Sequence, residues 1–167
     1  MKTKIAALVI IAAAWSAGAQ ATLADWKQTE LTDVNTGESF RIADFAGTSV
    51  LLESFAVWCP VCTAQQREIR ELHEAVGHEV VSISLNTDPN EDIRRVRDHT
   101  SRHGFSWRYA VAPDTMIQAL IDEFGFGIVN APSAPMVLIC EDQTHRPLRR
   151  GVKRADRLRS EIAAGCE

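Results

Sequence analysis

Trp58-Cys59-Pro60-Val61-Cys62 constrains this chain more than any other stretch. Two cysteines stand two residues apart, with a proline directly after the first. The apolar run Ser49-Val50-Leu51-Leu52-Glu53-Ser54-Phe55-Ala56-Val57 leads into them, and a helical pattern over residues 63–76 leads away. That order predicts a buried strand turning into the first turn of a helix at Cys59 and Cys62. A helix start carries unsatisfied N–H groups and a partial positive charge, both favouring an anion. A cysteine there is held partly as thiolate, the reactive form. A second cysteine one turn on can attack the mixed disulfide made by the first and release its partner. The stretch therefore reads as a redox dithiol.

The rest of the chain is compatible with that chemistry. Its 167 residues suffice for one domain with a proper core, and 46% hydrophobic with 24% charged content is ordinary for a globular protein. A formal net charge of −4 gives no support for a nucleic-acid partner. Lys2 and Lys4, the apolar run Ile5 to Ala14 and the site Ala19-Gln20-Ala21 have the layout of a secretory signal peptide. The run is short of the ~20 residues that span a bilayer. Cleavage is expected after Ala21, leaving a single domain over residues 22–167. Residue 22 is Thr, so no lipid-modified cysteine begins the mature chain. Export places the protein in the periplasm or another extracytoplasmic space, where disulfides persist. Cys59, Cys62, Cys140 and Cys166 all survive cleavage, and four cysteines allow three pairings.

Trp26, Thr29 and Leu31, then Phe40 and Ile42, alternate with polar residues around the turn Asn35-Thr36-Gly37 and predict a hairpin. Ile69, Leu72 and Val76 give the helix after Cys62 its apolar face, and Gly77 closes it. Val80 to Leu85 is a second buried strand. Asp88-Pro89 reads as the start of a helix carrying Ile93 and Val96 and ended by Gly104. Trp107 to Val111 is a third strand. Asp114 is expected to cap a helix with Met116, Leu120, Ile121 and Phe124 inward. Met136 to Cys140 and Leu148 to Val152 are the last strands, and Ala155 to Ala164 the last helix. Strands alternating with helices indicate an α/β domain with parallel strand pairs and an antiparallel pair at one edge.

In Ser54 to Cys62, in the helix-containing insertion after Leu85, and in Ala134-Pro135-Met136-Val137-Leu138-Ile139, the chain resembles the thioredoxin superfamily. It is most similar to exported thiol–disulfide oxidoreductases of the TlpA, ResA and CcmG type, in the redoxin group. The resemblance covers roughly residues 24–164. It implies a thioredoxin-like fold: a central mixed sheet flanked by helices, with an N-terminal β-hairpin extension and the inserted helix. It implies that Cys59 is the exposed nucleophile, Cys62 the buried resolving thiol and Glu53 a buried proton shuttle. Trp58, Ala134 and a cis Pro135 would contact substrate. Partners would be disulfide- or dithiol-containing proteins, with a membrane thiol transporter as electron donor and no metal or organic cofactor. In the expected fold the strand ending at Cys140 and the last helix run to the same pole, which makes a structural Cys140–Cys166 disulfide reasonable.

Two other classes compete. A thiol peroxidase of the peroxiredoxin type would need a Thr three residues before the nucleophile, where Ala56 stands. A copper-handling module would use C-x-x-x-C and a distant His. A zinc site needs four ligands, and the histidines His73, His78, His99, His103 and His145 read as scattered, with no second C-x-x-C. The basic run Arg146, Arg149, Arg150, Lys153, Arg154, Arg157 and Arg159 reads as a solvated face. Intact-mass measurement of the exported protein should give a chain starting at Thr22; a mass retaining residues 1–21 would contradict the cleavage.

Overall fold

The computed structural model describes residues 25–77 and 79–166; the signal peptide expected over residues 1–21 lies outside the described residues. Among the described residues, seven strands and four α-helices follow one another as β1 (Leu31–Thr32), β2 (Ser39–Phe40), β3 (Ser49–Phe55), α1 (Pro60–Val76), β4 (Val80–Asn86), α2 (Ile93–His103), β5 (Arg108–Val111), α3 (Asp114–Phe124), β6 (Met136–Ile139), β7 (His145–Pro147) and α4 (Ala155–Ala164). Five strands form one sheet in the order β5-β4-β3-β6-β7. β3, β4 and β5 are parallel, while β6 and β7 run antiparallel to their neighbours. This is the thioredoxin-like arrangement expected from sequence. β1 and β2 pair as a separate hairpin.

β3 is central because both its faces are apolar. Val50 and Leu52 join Ile83, Leu85, Val137, Met116 and Leu120 on the α3 face. Leu51 packs with Ile69, Leu72, Leu138 and Leu158 on the α1–α4 face. Burying each such side chain stabilises the fold by about 1.5–3 kcal/mol. Strand alternation then puts Glu53 on the face of Leu51. The register aligns Glu53 with Met136 on β6 and Ser84 on β4, and Ser84 with Tyr109 on β5. A row of polar side chains thus runs across the sheet under α1.

Four local expectations are corrected. The helix after Asp88-Pro89 starts later: Asp92 is the N-cap of α2, accepting from Arg95 N, and Asp88 instead closes a turn onto Asn90 N. Asp114 is the first residue of α3 rather than its cap, because Pro113 holds the extended N-cap conformation. The last strand is His145–Pro147 rather than residues 148–152. Pairing with β6 fixes that register, and Gly151 at φ 94 turns the chain away to donate to Ser133. The Trp26 and Ile42 segments are short 3-10 helices, with β pairing confined to residues 31–32 and 39–40.

At the pole away from the head of α1, Cys140 after β6 and Cys166 after α4 form a disulfide with Cα atoms 6.0 Å apart. Closing a loop of 26 residues should stabilise the fold by about 3 kcal/mol. Urea unfolding of the Cys140→Ser/Cys166→Ser double variant should show a loss of that order, and an unchanged midpoint would contradict a structural role.

Candidate active site

Cys59 is the N-cap of α1 and Pro60 its first residue. Pro60 suits that place, since its missing N–H would have had no helical partner. Cys59 Sγ accepts from Cys62 N at 3.1 Å, a cap normally made by oxygen. Cys59 and Cys62 form a disulfide with Cα atoms 5.3 Å apart. On reduction, the same amide and the helix start would hold a Cys59 thiolate. Cys62 Sγ lies 3.3 Å from the Ala131 carbonyl, which can accept from its thiol once reduced.

The turn leading into the pair is held from two sides. Glu91 is buried; its Oε2 accepts from Val57 N at 2.7 Å and from Asn86 Nδ2 at 2.6 Å. Asp88 Oδ2 accepts from the Trp58 indole at 2.5 Å, and that bond is the main cause holding the Asp88 carboxyl below its usual range. Trp58 is 60% exposed but fixed in direction. Beside it a cleft of about 240 Å³ is lined by Ala56, Trp58, Asp88, Asn130, Ala131 and Pro132, among others.

Glu53 is fully buried. Its Oε2 accepts from Ser84 Oγ at 2.7 Å and from Gln66 Nε2 at 3.2 Å, while Oε1 has no hydrogen-bond partner among the described residues. Gln66 follows Cys62 by one helical turn on the same face of α1, which sets the acid beneath the dithiol. Ser84 in turn accepts from the Trp107 indole at 2.9 Å. Burial raises the Glu53 carboxyl to about 7, against the opposing pull of Ser84, Gln66 and Lys153. A carboxyl that titrates near neutrality with one oxygen unengaged is equipped to take and return a proton.

Several sequence expectations meet a different geometry. Cys59 is 1% exposed, because its sulfur is turned inward to Cys62 and the Cys62 amide. Among the described residues there is no cis peptide bond, so Pro135 is trans. The reversal is made by Ala134, in the left-handed region at φ 44, which ends the 3-10 turn Ala131–Ser133. Ala134 and Pro135 are both buried, Pro135 O accepting from Ser54 N, and Ala131 and Pro132 line the cleft instead. His99 and His103 are not scattered: they stand at i, i+4 on α2 with ring centroids 4.8 Å apart. His99 Nε2 lies 2.7 Å from Gln66 Oε1, and burial pulls the ring down to about 4. Among the described residues no three His, Cys, Asp or Glu gather as a metal set. Lys153 is buried rather than solvated, its Nζ donating to Ala134 O at 2.7 Å. Glu91 and Lys153 gave no sequence signal: each lies in a charged stretch, and only the fold turns one inward.

The sign of the Glu53 effect on stability follows from its raised value. Between its unfolded value near 4.5 and its folded value near 7, the folded chain binds the extra proton. Stability from this group is therefore complete below about 4.5 and lost as pH rises to about 7, a difference of about 3 kcal/mol. Because buried His99 gains stability over the same range in both proteins, the effect is read as a difference: between pH 5 and pH 8 the wild type should lose about 2–3 kcal/mol relative to Glu53→Gln in urea unfolding, and a difference that does not change with pH would contradict it.

Comparison with known proteins agrees with this construction. The family model described as Redoxin matches residues 17–143. No curated protein sequence matches the chain. A thioredoxin family thiol:disulfide interchange protein from Chlorobium tepidum superposes with TM-score 0.70 at 15% identity, over 83% of this chain and 93% of that one. A secreted Mycobacterium tuberculosis disulfide oxidoreductase homologous to E. coli DsbE gives 0.62 at 19%, over 84% and 98%. An exposed lipoprotein thioredoxin from Streptococcus pneumoniae gives 0.63 at 17%, over 81% and 98%. These likenesses establish a thioredoxin-like fold around the Cys59–Cys62 pair, and the family model, spanning most of the sequence, establishes that the chain belongs to the redoxin family.

Proposed function

We propose that the protein is an exported thiol–disulfide oxidoreductase acting on cysteine pairs of other proteins, as a reductant recharged by a membrane thiol transporter. The observation that carries the reading is the seat of Cys59, with its sulfur accepting from the Cys62 amide in the first turn of α1, and with buried Glu53 on β3 bonded to Gln66, one helical turn after Cys62. Export is supported by the signal-like start of the sequence, and a similar structure is that of a secreted protein.

In the reductive direction Cys59 thiolate attacks one sulfur of a partner disulfide. A mixed disulfide forms and the first partner thiolate leaves. Cys62 must then lose its proton to attack Cys59 Sγ; Glu53, as carboxylate, takes it on the unengaged Oε1. The Cys59–Cys62 bond forms, the second partner thiolate leaves, and two electrons have passed from this chain to the partner. Trp58, fixed by Asp88, and the Ala131–Pro132 wall offer the partner an apolar surface beside the sulfurs. Peroxide chemistry is disfavoured, since Ala56 offers no hydroxyl three residues before Cys59.

Cys62→Ser should accumulate a mixed disulfide with a disulfide-containing peptide, seen as a mass increase lost on reduction, while Cys59→Ser should form none. In Glu53→Gln the resolving step should slow by about 10²-fold near pH 7. Equal trapping by both serine variants would contradict the assigned order of the cysteines.

A further inference from the structure

The basic run near the C-terminus contains one residue unlike the others. Arg149, Arg150, Arg154, Arg157 and Arg159 are exposed and Arg146 is half-buried, whereas Lys153 is 6% exposed. Lysine is almost never buried without partners. Here the backbone and the side chain are both held. Lys153 N donates to Gln65 Oε1 at 2.7 Å, and Lys153 O accepts from Gln65 Nε2 at 3.0 Å. Gln65 is itself buried and stands three residues after Cys62 on α1. The ammonium donates to Ala134 O at 2.7 Å and to Gly151 O at 2.5 Å. Gly151 N donates to Ser133 O at 2.8 Å, in the same loop whose Ala131 carbonyl faces Cys62 Sγ.

We propose that Lys153 is a positioning residue for the dithiol, tying the loop that faces Cys59 and Cys62 to the charge of Glu53 through one buried ammonium. The proposal rests on the exchange chemistry above and assigns to it a residue that touches neither sulfur. Two carbonyl dipoles keep the ammonium in place whether or not Glu53 is ionised. When Glu53 takes the Cys62 proton and becomes neutral, the cation still has both acceptors, so the loop does not shift during resolution. When Glu53 is a carboxylate, the same ammonium is its compensating charge.

The other groups around the pair do not supply that charge. Facing Glu53 are Ser84 from β4 and Gln66 from α1, both neutral, and Tyr109 from β5, whose hydroxyl burial keeps protonated. His99 on α2 reaches it only through Gln66 and is neutral by burial. Facing Lys153 are Glu53 and Glu161 of α4; Glu161 is engaged by Arg146 at 2.8 Å and Arg157 at 2.5 Å. Burial lowers the ammonium to about 8, with Glu53 and Glu161 acting against that fall, so at neutral pH it is a cation. Without it, Glu53 would keep its proton to higher pH, and fewer molecules would have a base ready for Cys62.

The test separates charge from hydrogen bonding. Lys153→Gln keeps a donor for the carbonyls and removes the charge; Lys153→Arg keeps the charge. The readout is the infrared band of the protonated Glu53 carboxyl in the oxidised full chain, assigned by its absence in Glu53→Gln and followed against pH. The midpoint should rise by about one pH unit or more in Lys153→Gln and stay at the wild-type value in Lys153→Arg. The pH dependence of hydroxyethyl disulfide reduction should move with it. An unshifted midpoint in Lys153→Gln, or the same rise in both variants, overturns the proposal. The reciprocal measurement changes nothing at Lys153 and serves if the glutamine variant does not fold: by NMR, the Lys153 ammonium should titrate at lower pH in Glu53→Gln, and an unchanged titration overturns the coupling. A wild-type chain that cannot reduce hydroxyethyl disulfide overturns the exchange reading and the positioning role with it; unshifted infrared midpoints overturn the role of Lys153 alone.

Discussion

The structure depends on one junction, the four residues Ala56 to Cys59 between the end of β3 and the start of α1. A parallel strand buried on both faces must hand the chain to a helix, and the helix begins with N–H groups that need an acceptor. Here the acceptor is Cys59 Sγ. The arrangement puts a sulfur where negative charge is favoured and a second sulfur within bonding reach. Pro60 fixes the backbone between them, and Glu91 and Asp88 hold the approach through Val57 and Trp58.

Behind the junction sits a carboxyl that burial makes reluctant to ionise. Its neighbours are a consequence of strand register: Ser84 lies opposite Glu53 on β4, and α1 lays Gln66 over it. A buried carboxylate needs compensation, and a positive charge acting on it comes from Lys153, far away in sequence. Strand pairing, helix packing and the α4 lead-in therefore converge on the same few atoms, which is why proton chemistry and stability are coupled at this site.

The architecture was legible because its signals are local. The continuous apolar runs at residues 49–57 and 80–85 mark buried strands, and the ends of α4 match the sequence reading. Cys59, Cys62 and Glu53 were found by spacing and by a charge placed in an apolar strand. What was not legible depends on tertiary contact. Asp88 looks like a helix cap, and only the approach of Trp58 makes it an anchor for the indole. Lys153 looks like one of seven basic surface residues until Gln65 and Ala134 are seen around it. The proline before β6 marks a chain reversal, but the left-handed turn at Ala134 and the bond from Ser54 N to Pro135 O are tertiary features that the residue types there do not signal.

The measurement that tests the central claim most directly is the reduction potential of the Cys59–Cys62 pair, followed by Trp58 fluorescence in a graded dithiol redox buffer. The account predicts one reversible two-electron transition, with a tenfold change in ratio for every ~30 mV, centred near the ~−270 mV of a thioredoxin-type reductant. A midpoint near ~−120 mV would make the protein an oxidant and contradict the proposed direction. The absence of any reversible transition would contradict the redox dithiol itself.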